Sequence, residues 1–484
     1  MKLLNKILLN TDAEFVCGNE NLSIAGITTS SRDVKENYAF FALVGTKTDG
    51  HTFIDDAIKA GATAIICSKI PENKIENITY YVTKNGNETW AQSAANYYEN
   101  PSKNIDLIGI TGTNGKTTTV TLLFELFNKL EIPAGLISTI KCNTLTKEYV
   151  STHTTPDALE INRLLREMVD AGCKYCFMEV SSHAVVQSRI HGLHFKGGVF
   201  TNLTHDHLDY HKTFAEYLKA KQMFFTSLPK TAFALYNDDD VNGAVMVQNS
   251  KANKFSYAIK RPADFKTKIL HNSIEGLELN INGLEAWFKL VGNFNAYNLT
   301  AIYATAAICG VDSSKIIVAL SSLDEADGRF NVVRSNSGIT GIVDYAHTPD
   351  ALKNVLTTII DIRESGCDII TVAGAGGDRD KTKRGAMGEI IAAYSEKVII
   401  TSDNPRTEDP VKIIEDVKSG VKPEDLKKVI CISDRREAIK TACMLAKAGD
   451  IILVAGKGHE TYQEIMGVRN HFNDMEELNE FLNK

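Results

Sequence analysis

Short apolar runs rich in β-branched residues alternate with longer stretches of helical periodicity along almost the whole chain, the pattern of parallel α/β sheets. Tyr38–Leu43 reads as a strand, and residues 55–66 read as a helix followed by a strand. Glu99-Asn100-Pro101-Ser102-Lys103 is turn chemistry and closes a first unit, residues 1–103. A second unit, 104–330, opens on the apolar strand Ile105–Ile110. Within it, residues 277–284 alternate around Asn282-Gly283 and predict an antiparallel hairpin insert. The third unit, 331–484, holds three similar strands, at Ile342-Val343, Ile369–Ala373 and Ile451–Ala455. The expected fold is α/β, with three domains in 484 residues.

Directly after the strand Ile105–Ile110 comes Thr111-Gly112-Thr113-Asn114-Gly115-Lys116-Thr117-Thr118, and then a helix with apolar positions at Val120, Leu123, Phe124, Phe127 and Leu130. Glycines at a strand-to-helix turn let backbone N–H groups close around phosphate oxygens, and the helix N-terminus adds positive potential. Lys116 would reach the outer phosphates of a nucleotide, and the Thr117 hydroxyl would ligate Mg²⁺. The loop is a variant: Gly112 and Gly115 have only two residues between them, and Ile110 stands where the first glycine of the usual pattern belongs.

Six polar clusters follow predicted strands: Ser181-Ser182-His183; Leu203 to His211; Asp344 to Asp350; Gly374 to Asp380; Ser402 to Arg406; and Gly456 to Glu460. Ligands in open α/β sheets sit beyond the carboxyl ends of strands, so these clusters predict one large cleft shared by two α/β units. Glu179 lies mid-strand between Met178 and Val180, where a carboxylate costs several kcal/mol unless paired or metal-bound, which makes it a Mg²⁺ ligand candidate beside Thr117. A structural ion pair is the alternative. The spacing of His205, His207 and His211 does not define a zinc site, and Lys221 is on pattern alone an ordinary helix lysine.

Composition narrows the classes. Apolar residues are 43% and charged residues 23%, and the net charge is 53 − 60 = −7, giving no general attraction for nucleic acid or an anionic membrane. No apolar run approaches the roughly 20 residues that span a bilayer. Met1–Asn10 lacks a long apolar core and a cleavage site, and reads as the first helix of a domain. Of nine cysteines only Cys173 and Cys176 form a CxxC, in a strand-like stretch; a buried reduced pair in a reducing cytoplasm is expected rather than a metal or redox site.

The run Gly112-Thr113-Asn114-Gly115-Lys116-Thr117-Thr118 resembles the phosphate loop of the Mur ligases and folylpolyglutamate synthases, ATP-dependent ligases that join an amino acid to a carboxylate through an acyl phosphate. The likeness to the Mur ligases extends over nearly the whole chain. Thr29-Ser30-Ser31-Arg32-Asp33-Val34 and Asp49-Gly50-His51-Thr52-Phe53 resemble that family's uridine-diphosphate domain, although Ser30 stands where Asp is usual. The resemblance implies a small N-terminal α/β UDP-binding domain, a central P-loop parallel-sheet ATPase domain and a C-terminal Rossmann-like amino-acid-binding domain. It further implies that Ser31, Thr154, Thr155, Ser181, Gln187 and Arg189 hold a UDP-MurNAc-dipeptide, and that Asn293, Arg329 and Asp344 lie on the ATP side with the loop residues. His205 would serve a second Mg²⁺, and Lys221 would be carbamylated to a metal-binding anion. Asn331 stands where the family often has Glu, and Gly385 where it has Pro.

Asp403-Asn404-Pro405-Arg406 resembles the motif of family members that add meso-2,6-diaminopimelate. An arginine fork grips a second carboxylate in two parallel charge-assisted bonds, and gains nothing beside the distal ammonium of lysine. Asp403 and Glu460 would receive ammonium groups, Arg379 the other carboxylate, and Gly456 would allow close backbone approach. The expected enzyme is therefore a cytoplasmic ligase of peptidoglycan precursor synthesis, with ATP, UDP-MurNAc-L-Ala-D-Glu and diaminopimelate as substrates and two Mg²⁺ ions. It is expected to be a monomer without nucleic-acid or membrane partners. Its third domain would close on the second about hinges near Lys103 and Phe330. Lysine, lanthionine or a folylpolyglutamate-type substrate are the enzymatic alternatives, and a non-catalytic ATP-binding regulator the alternative of another class.

Overall fold

The computed structural model describes residues 1–45, 48–151, 153–204, 206 and 208–483. It consists of three α/β domains, each built on its own sheet. The first sheet has five strands in the order Glu14–Cys17, Thr79–Val82, Ala62–Cys67, Tyr38–Ala42 and Gly26–Thr28, with only the Glu14–Cys17 edge antiparallel. The predicted N-terminal helix shrinks to Leu4–Ile7, because Lys2–Leu3 is drawn out to pair with Ser23–Ile24. Leu4 and Ile7 still reach the core, where Phe41 meets the edge of Trp90 at 5.0 Å.

The second sheet has eleven strands. Its central strand, Asp106–Thr111, carries no polar side chain beyond Asp106 until Thr111 and is buried on both faces, as a parallel strand between helices must be. Tyr175–Glu179 pairs with it on one side and Phe195–Phe200 on the other, both parallel. Chain order diverges in opposite directions from this strand, so the turn after Thr111 lies at the topological switch point. The hairpin forms as expected: Gly276–Ile281 pairs with Leu284–Phe288 across Asn282 (φ 50°) and Gly283 (φ 89°), the positive-φ pair that a two-residue turn requires. Helix Ala158–Asp170 buries Ile161, Leu164, Leu165 and Met168, worth roughly 6–12 kcal/mol before entropy is subtracted. Asp157 caps it by accepting from Leu159 N and Glu160 N. Helix Asn293–Ile308 is buried on nearly every side, and packs against both helix Lys116–Lys129 and strand Phe265–Ser273.

The third sheet has six strands in the order Asn331–Arg334, Thr340–Asp344, Ile451–Ala455, Ile369–Ala373, Lys397–Ile400 and Val429–Cys431, parallel except for the first. Its floor holds a fully buried ion pair: Arg435 donates to both Asp474 oxygens at 2.7 Å and to Ala455 O, tying helix Asp474–Leu482 beneath the strand ends. No helix among the described residues is long and apolar enough to cross a membrane. Cys173 and Cys176 are buried free thiols, and burial pushes Cys173 up to about 11.

A three-sided cleft at the strand ends

One cleft of about 1440 Å³ receives the carboxyl ends of strands from the second and third sheets. All six polar clusters contribute to its lining, through Ser181 and His183; Thr204 and Asp206; Asp344 to Thr348 and Asp350; Gly374 to Gly376, Arg379 and Asp380; Asp403, Asn404 and Arg406; and Gly456, His459 and Glu460.

The phosphate loop forms one wall. Gly112 (φ 152°) and Gly115 (φ 84°) adopt backbone conformations that favour glycine. A Cβ on Gly112 would lie 1.9 Å from Thr201 Oγ1, and one on Gly115 would lie 2.5 Å from Asn298 Oδ1. Ile110 fills the position of the absent first glycine because it is core, with no exposed surface. Helix Lys116–Lys129 starts at Gly115 without a side-chain cap, so its first-turn N–H groups have no capping acceptor. Thr113 Oγ1 is tied to Thr204 N and Tyr217 Oη, and Asn114 N donates to Asn202 Oδ1.

Two lysines converge behind the loop. Lys116 Nζ donates to Gly112 O at 2.9 Å and Thr113 O at 2.8 Å, while Lys221 Nζ donates to the same Gly112 O at 2.8 Å. Burial lowers the pKa of Lys116, Glu179 and Asp206 oppose that shift, and Arg329 adds to it. Lys221 is held well below the ordinary lysine range by burial and then by the field of Lys116. Glu179 is fully buried: Oε1 accepts from Thr139 N at 2.8 Å, and Oε2 has no partner among the described residues. An orphaned carboxylate oxygen and a threonine hydroxyl, Glu179 and Thr117, line the same cleft and make a hard-oxygen donor set, which suits an ion such as Mg²⁺ that takes few protein ligands and completes its shell from phosphates. Among the described residues no group of three or more His, Cys, Asp or Glu forms a metal cluster. His205 lies outside the described residues.

At the end of strand Tyr175–Glu179, Thr155 Oγ1 donates to Glu179 O and accepts from Ser181 N, and Arg189 Nη1 reaches Thr155 O at 2.6 Å. Gln187 Oε1 accepts from Arg189, and Thr154 Oγ1 accepts from Thr139. Across the cleft, Arg329 Nη2 donates to Thr117 Oγ1 at 3.1 Å and its guanidinium stands 4.6 Å over the Tyr345 ring. Asp344 accepts from Phe330 N and Ala346 N; burial raises its pKa against the pull of Arg329. Asn293 Nδ2 reaches Asp361 at 3.4 Å. Phe330, the expected hinge, is a buried residue in the left-handed region (φ 57°), and Gly328 before it packs so tightly that a Cβ would lie 2.0 Å from His459 N. Asn331, in the place of the usual Glu, accepts from Gly328 N and closes this same turn.

The third wall carries Asp403, Asn404 and Arg406. Gly456 (φ 118°) leaves room for Asp403, whose Oδ2 lies 2.6 Å from where a Cβ would stand. Gly377 does the same for the Pro405 carbonyl. Arg406 has φ 52°; its N–H pairs with Glu464 O in the hairpin Tyr462–His471, and Nη1 donates to Gly377 O at 2.6 Å. Glu460 Oε2 accepts from Asn404 Nδ2 at 2.7 Å and from Lys457 Nζ at 2.9 Å. Arg384, buried, binds Glu408 and Asp416 and braces the turns that present Arg379 and Arg406.

The structure thus brings Thr113 to Thr118, Glu179, Thr154, Thr155, Ser181, Arg189, Asn293, Arg329, Asp344, Arg379, Asp403, Asn404, Arg406, Gly456 and Glu460 to one lining. Gly112, Gln187, Pro405 and Lys221 support that lining without joining it, and Ser31, in the one-turn helix Ser31–Asp33, is not part of it. Sequence reasoning passed over the platform ring Tyr345, the peptide donor Thr139, the fully buried cation Lys457, and Asp350. Only Thr139 lay outside the quoted strand-end clusters.

Three family descriptions match the chain: "Mur ligase family, catalytic domain" over residues 23–102, "Mur ligase middle domain" over 110–306, and "Mur ligase, glutamate ligase domain" over 328–458. The UDP-N-acetylmuramoyl-L-alanyl-D-glutamate–2,6-diaminopimelate ligase of Cytophaga hutchinsonii is 51% identical over 468 residues, covering 96% of each chain. The ligase of the same name from Bacteroides thetaiotaomicron is 50% identical over 482 residues, covering 99% of this chain and 100% of its own. A solved structure of a ligase with that name superposes with a TM-score of 0.67 at 33% identity, covering 96% of both chains.

Proposed function

The chain belongs to the Mur ligase family, and from that premise we propose that it joins meso-2,6-diaminopimelate to UDP-N-acetylmuramoyl-L-alanyl-D-glutamate, with ATP as the energy source, as a monomer in the cytoplasm. The observation that carries this reading is the shared cleft: a phosphate loop, an orphaned carboxylate and a paired-arginine wall line one volume.

The acceptor is a carboxylate, which carries negative charge and has no leaving group. Its attack in line on the γ-phosphorus of ATP makes an acyl phosphate and releases ADP. Lys116 would exchange its two loop carbonyls for phosphate oxygens, and Arg329, already at Thr117, would add charge from the junction with the third domain. Thr155, Ser181 and Arg189, mutually hydrogen-bonded, would fix the peptide end of the acceptor, while Ser31 on the first domain would serve its uridine end. Thr117 and Glu179, with His205 and a carbamylated Lys221, would hold two Mg²⁺ ions, which when bound neutralise the phosphate charge. Burial, by lowering the Lys221 pKa, favours the neutral amine, whose free electron pair CO₂ addition requires.

The amine of diaminopimelate then attacks the acyl carbon, and the tetrahedral intermediate expels phosphate. Arg406 and Arg379 would grip the distal and proximal carboxylates, with Asp403 and the second oxygen of Glu460 receiving ammonium groups. Lysine would set an ammonium beside the Arg406 guanidinium. The test is phosphate release with ATP, Mg²⁺ and UDP-MurNAc-L-Ala-D-Glu, run separately with diaminopimelate, lanthionine and lysine. Turnover with diaminopimelate at least tenfold above lysine supports the reading; equal or greater turnover with lysine overturns it.

A further inference from the structure

Helix Pro349–Ile362 of the third domain begins beside the phosphate loop of the second. Thr348 caps it, and Asp350 occupies its first turn, where an acidic residue ordinarily does no more than complement the helix dipole. Here the carboxylate reaches across the domain boundary. Asp350 Oδ2 accepts from Asn114 Nδ2 at 2.9 Å and from Thr204 Oγ1 at 2.9 Å, and Asn354 Nδ2 on its own helix stands at 3.3 Å. Both foreign donors belong to the nucleotide wall. Asn114 lies inside the phosphate loop, and its backbone is held by its own domain: its N–H donates to Asn202 Oδ1, and its carbonyl accepts from Thr201 Oγ1 and Asn202 Nδ2. Its side chain is therefore free to bridge. Thr204 leaves the strand Phe195–Phe200, and its N–H donates to Thr113 Oγ1, one residue earlier in the same loop. At the far end of the helix, Asp361 accepts from Asn293.

We propose that Asp350 is a positioning residue that clasps the third domain onto the phosphate loop, so that the loop's phosphate-receiving shape and the closed cleft form together. The proposal rests on the ligase reading above for its activity readout only. Hydrogen bonds to a charged acceptor are the stronger class, and losing two of them at a domain boundary corresponds to roughly a tenfold to hundredfold shift toward the open arrangement. Only ligands that need both domains feel that shift.

The test compares Asp350→Ala, Asp350→Asn and Thr204→Val with the wild type. Asp350→Ala is expected to lower kcat and to weaken Mg·ADP binding, each about tenfold to hundredfold, because the loop and the Asp344 side of the nucleotide site come together only on closure. Small-angle scattering with Mg·ADP should give a larger radius of gyration than the wild type. Asp350→Asn keeps an oxygen acceptor and should recover most of the loss. Thr204→Val removes one donor from the opposite side, and combined with Asp350→Ala should add little further loss. It also carries the test if Asp350→Ala fails to fold. A kcat within twofold of wild type in Asp350→Ala, an equally impaired Asp350→Asn, or unchanged scattering overturns the clasp. A wild type inactive with every amino acid would instead overturn the ligase reading, and the scattering and ADP measurements would still judge the clasp.

Discussion

Replacing Glu179 with Gln should move stability and activity in opposite directions. Glu179 has no exposed surface; one oxygen accepts from Thr139 N and the other has no partner among the described residues. A buried ionised oxygen without a partner costs several kcal/mol, whereas an orphaned amide N–H costs roughly 1–3 kcal/mol. Glutamine can keep its carbonyl on Thr139 N and put its amide where Oε2 stood. The ligand-free variant should therefore be as stable as the wild type or more so, by about 1–2 kcal/mol at most. The reaction loses an ionised ligand facing the phosphates, worth roughly 2–4 kcal/mol, or about 30-fold to 1000-fold in turnover. A second consequence concerns Lys116. The Glu179 carboxylate is the first charge opposing the burial that lowers the Lys116 pKa, so without it the ammonium is lost at lower pH and the alkaline limb of kcat/KM moves toward neutrality. Thermal unfolding with and without Mg·ADP, beside phosphate release across pH, tests all three statements. A variant that loses stability yet keeps a tenth or more of its turnover would refute the reasoning.

Two further outcomes follow from the third domain. Arg406→Lys replaces a planar fork with a point charge and should raise the KM for diaminopimelate about tenfold to hundredfold while leaving ATP KM within about threefold, measured by steady-state phosphate release; equal loss toward both substrates would contradict a role in selection. Glu408 is held down to about 2, chiefly by Arg384 and then by Lys381. Because its folded pKa is depressed, its contribution is complete above the ordinary value of 4.5 and lost as pH falls toward 2, so Glu408→Gln should flatten the acid side of a urea-midpoint profile between those values. A profile that keeps its slope in the variant would assign the acid sensitivity elsewhere.

Much of the cleft was legible because its chemistry is local. A strand, a glycine turn and Lys116-Thr117 are contiguous, and each strand-end cluster announces itself by polar residues where an apolar run stops. The Asn282-Gly283 hairpin was equally readable, since φ > 0 at two successive positions leaves few residue choices. What escaped was long-range pairing. Lys457 looks like a loop lysine until Asn404 and Glu460 are seen to enclose it, and Asp350 looks like a helix-start aspartate until Asn114, 236 residues away in sequence, is seen at its carboxylate. The short N-terminal helix failed for a related reason: nothing in Lys2–Leu3 itself reveals that Ser23–Ile24 will claim it as a strand. Glu179 was the exception, since a carboxylate inside an apolar strand is conspicuous wherever its partner lies.

The account turns on an acceptor oxygen passing to phosphate before the amine arrives. UDP-MurNAc-L-Ala-D-Glu carrying ¹⁸O in both oxygens of the reacting carboxylate, turned over with ATP, Mg²⁺ and diaminopimelate, should place one ¹⁸O in each inorganic phosphate released and retain one in the new amide. Phosphate free of the label, with the departing heavy oxygen found in the nucleotide or in water, would contradict it.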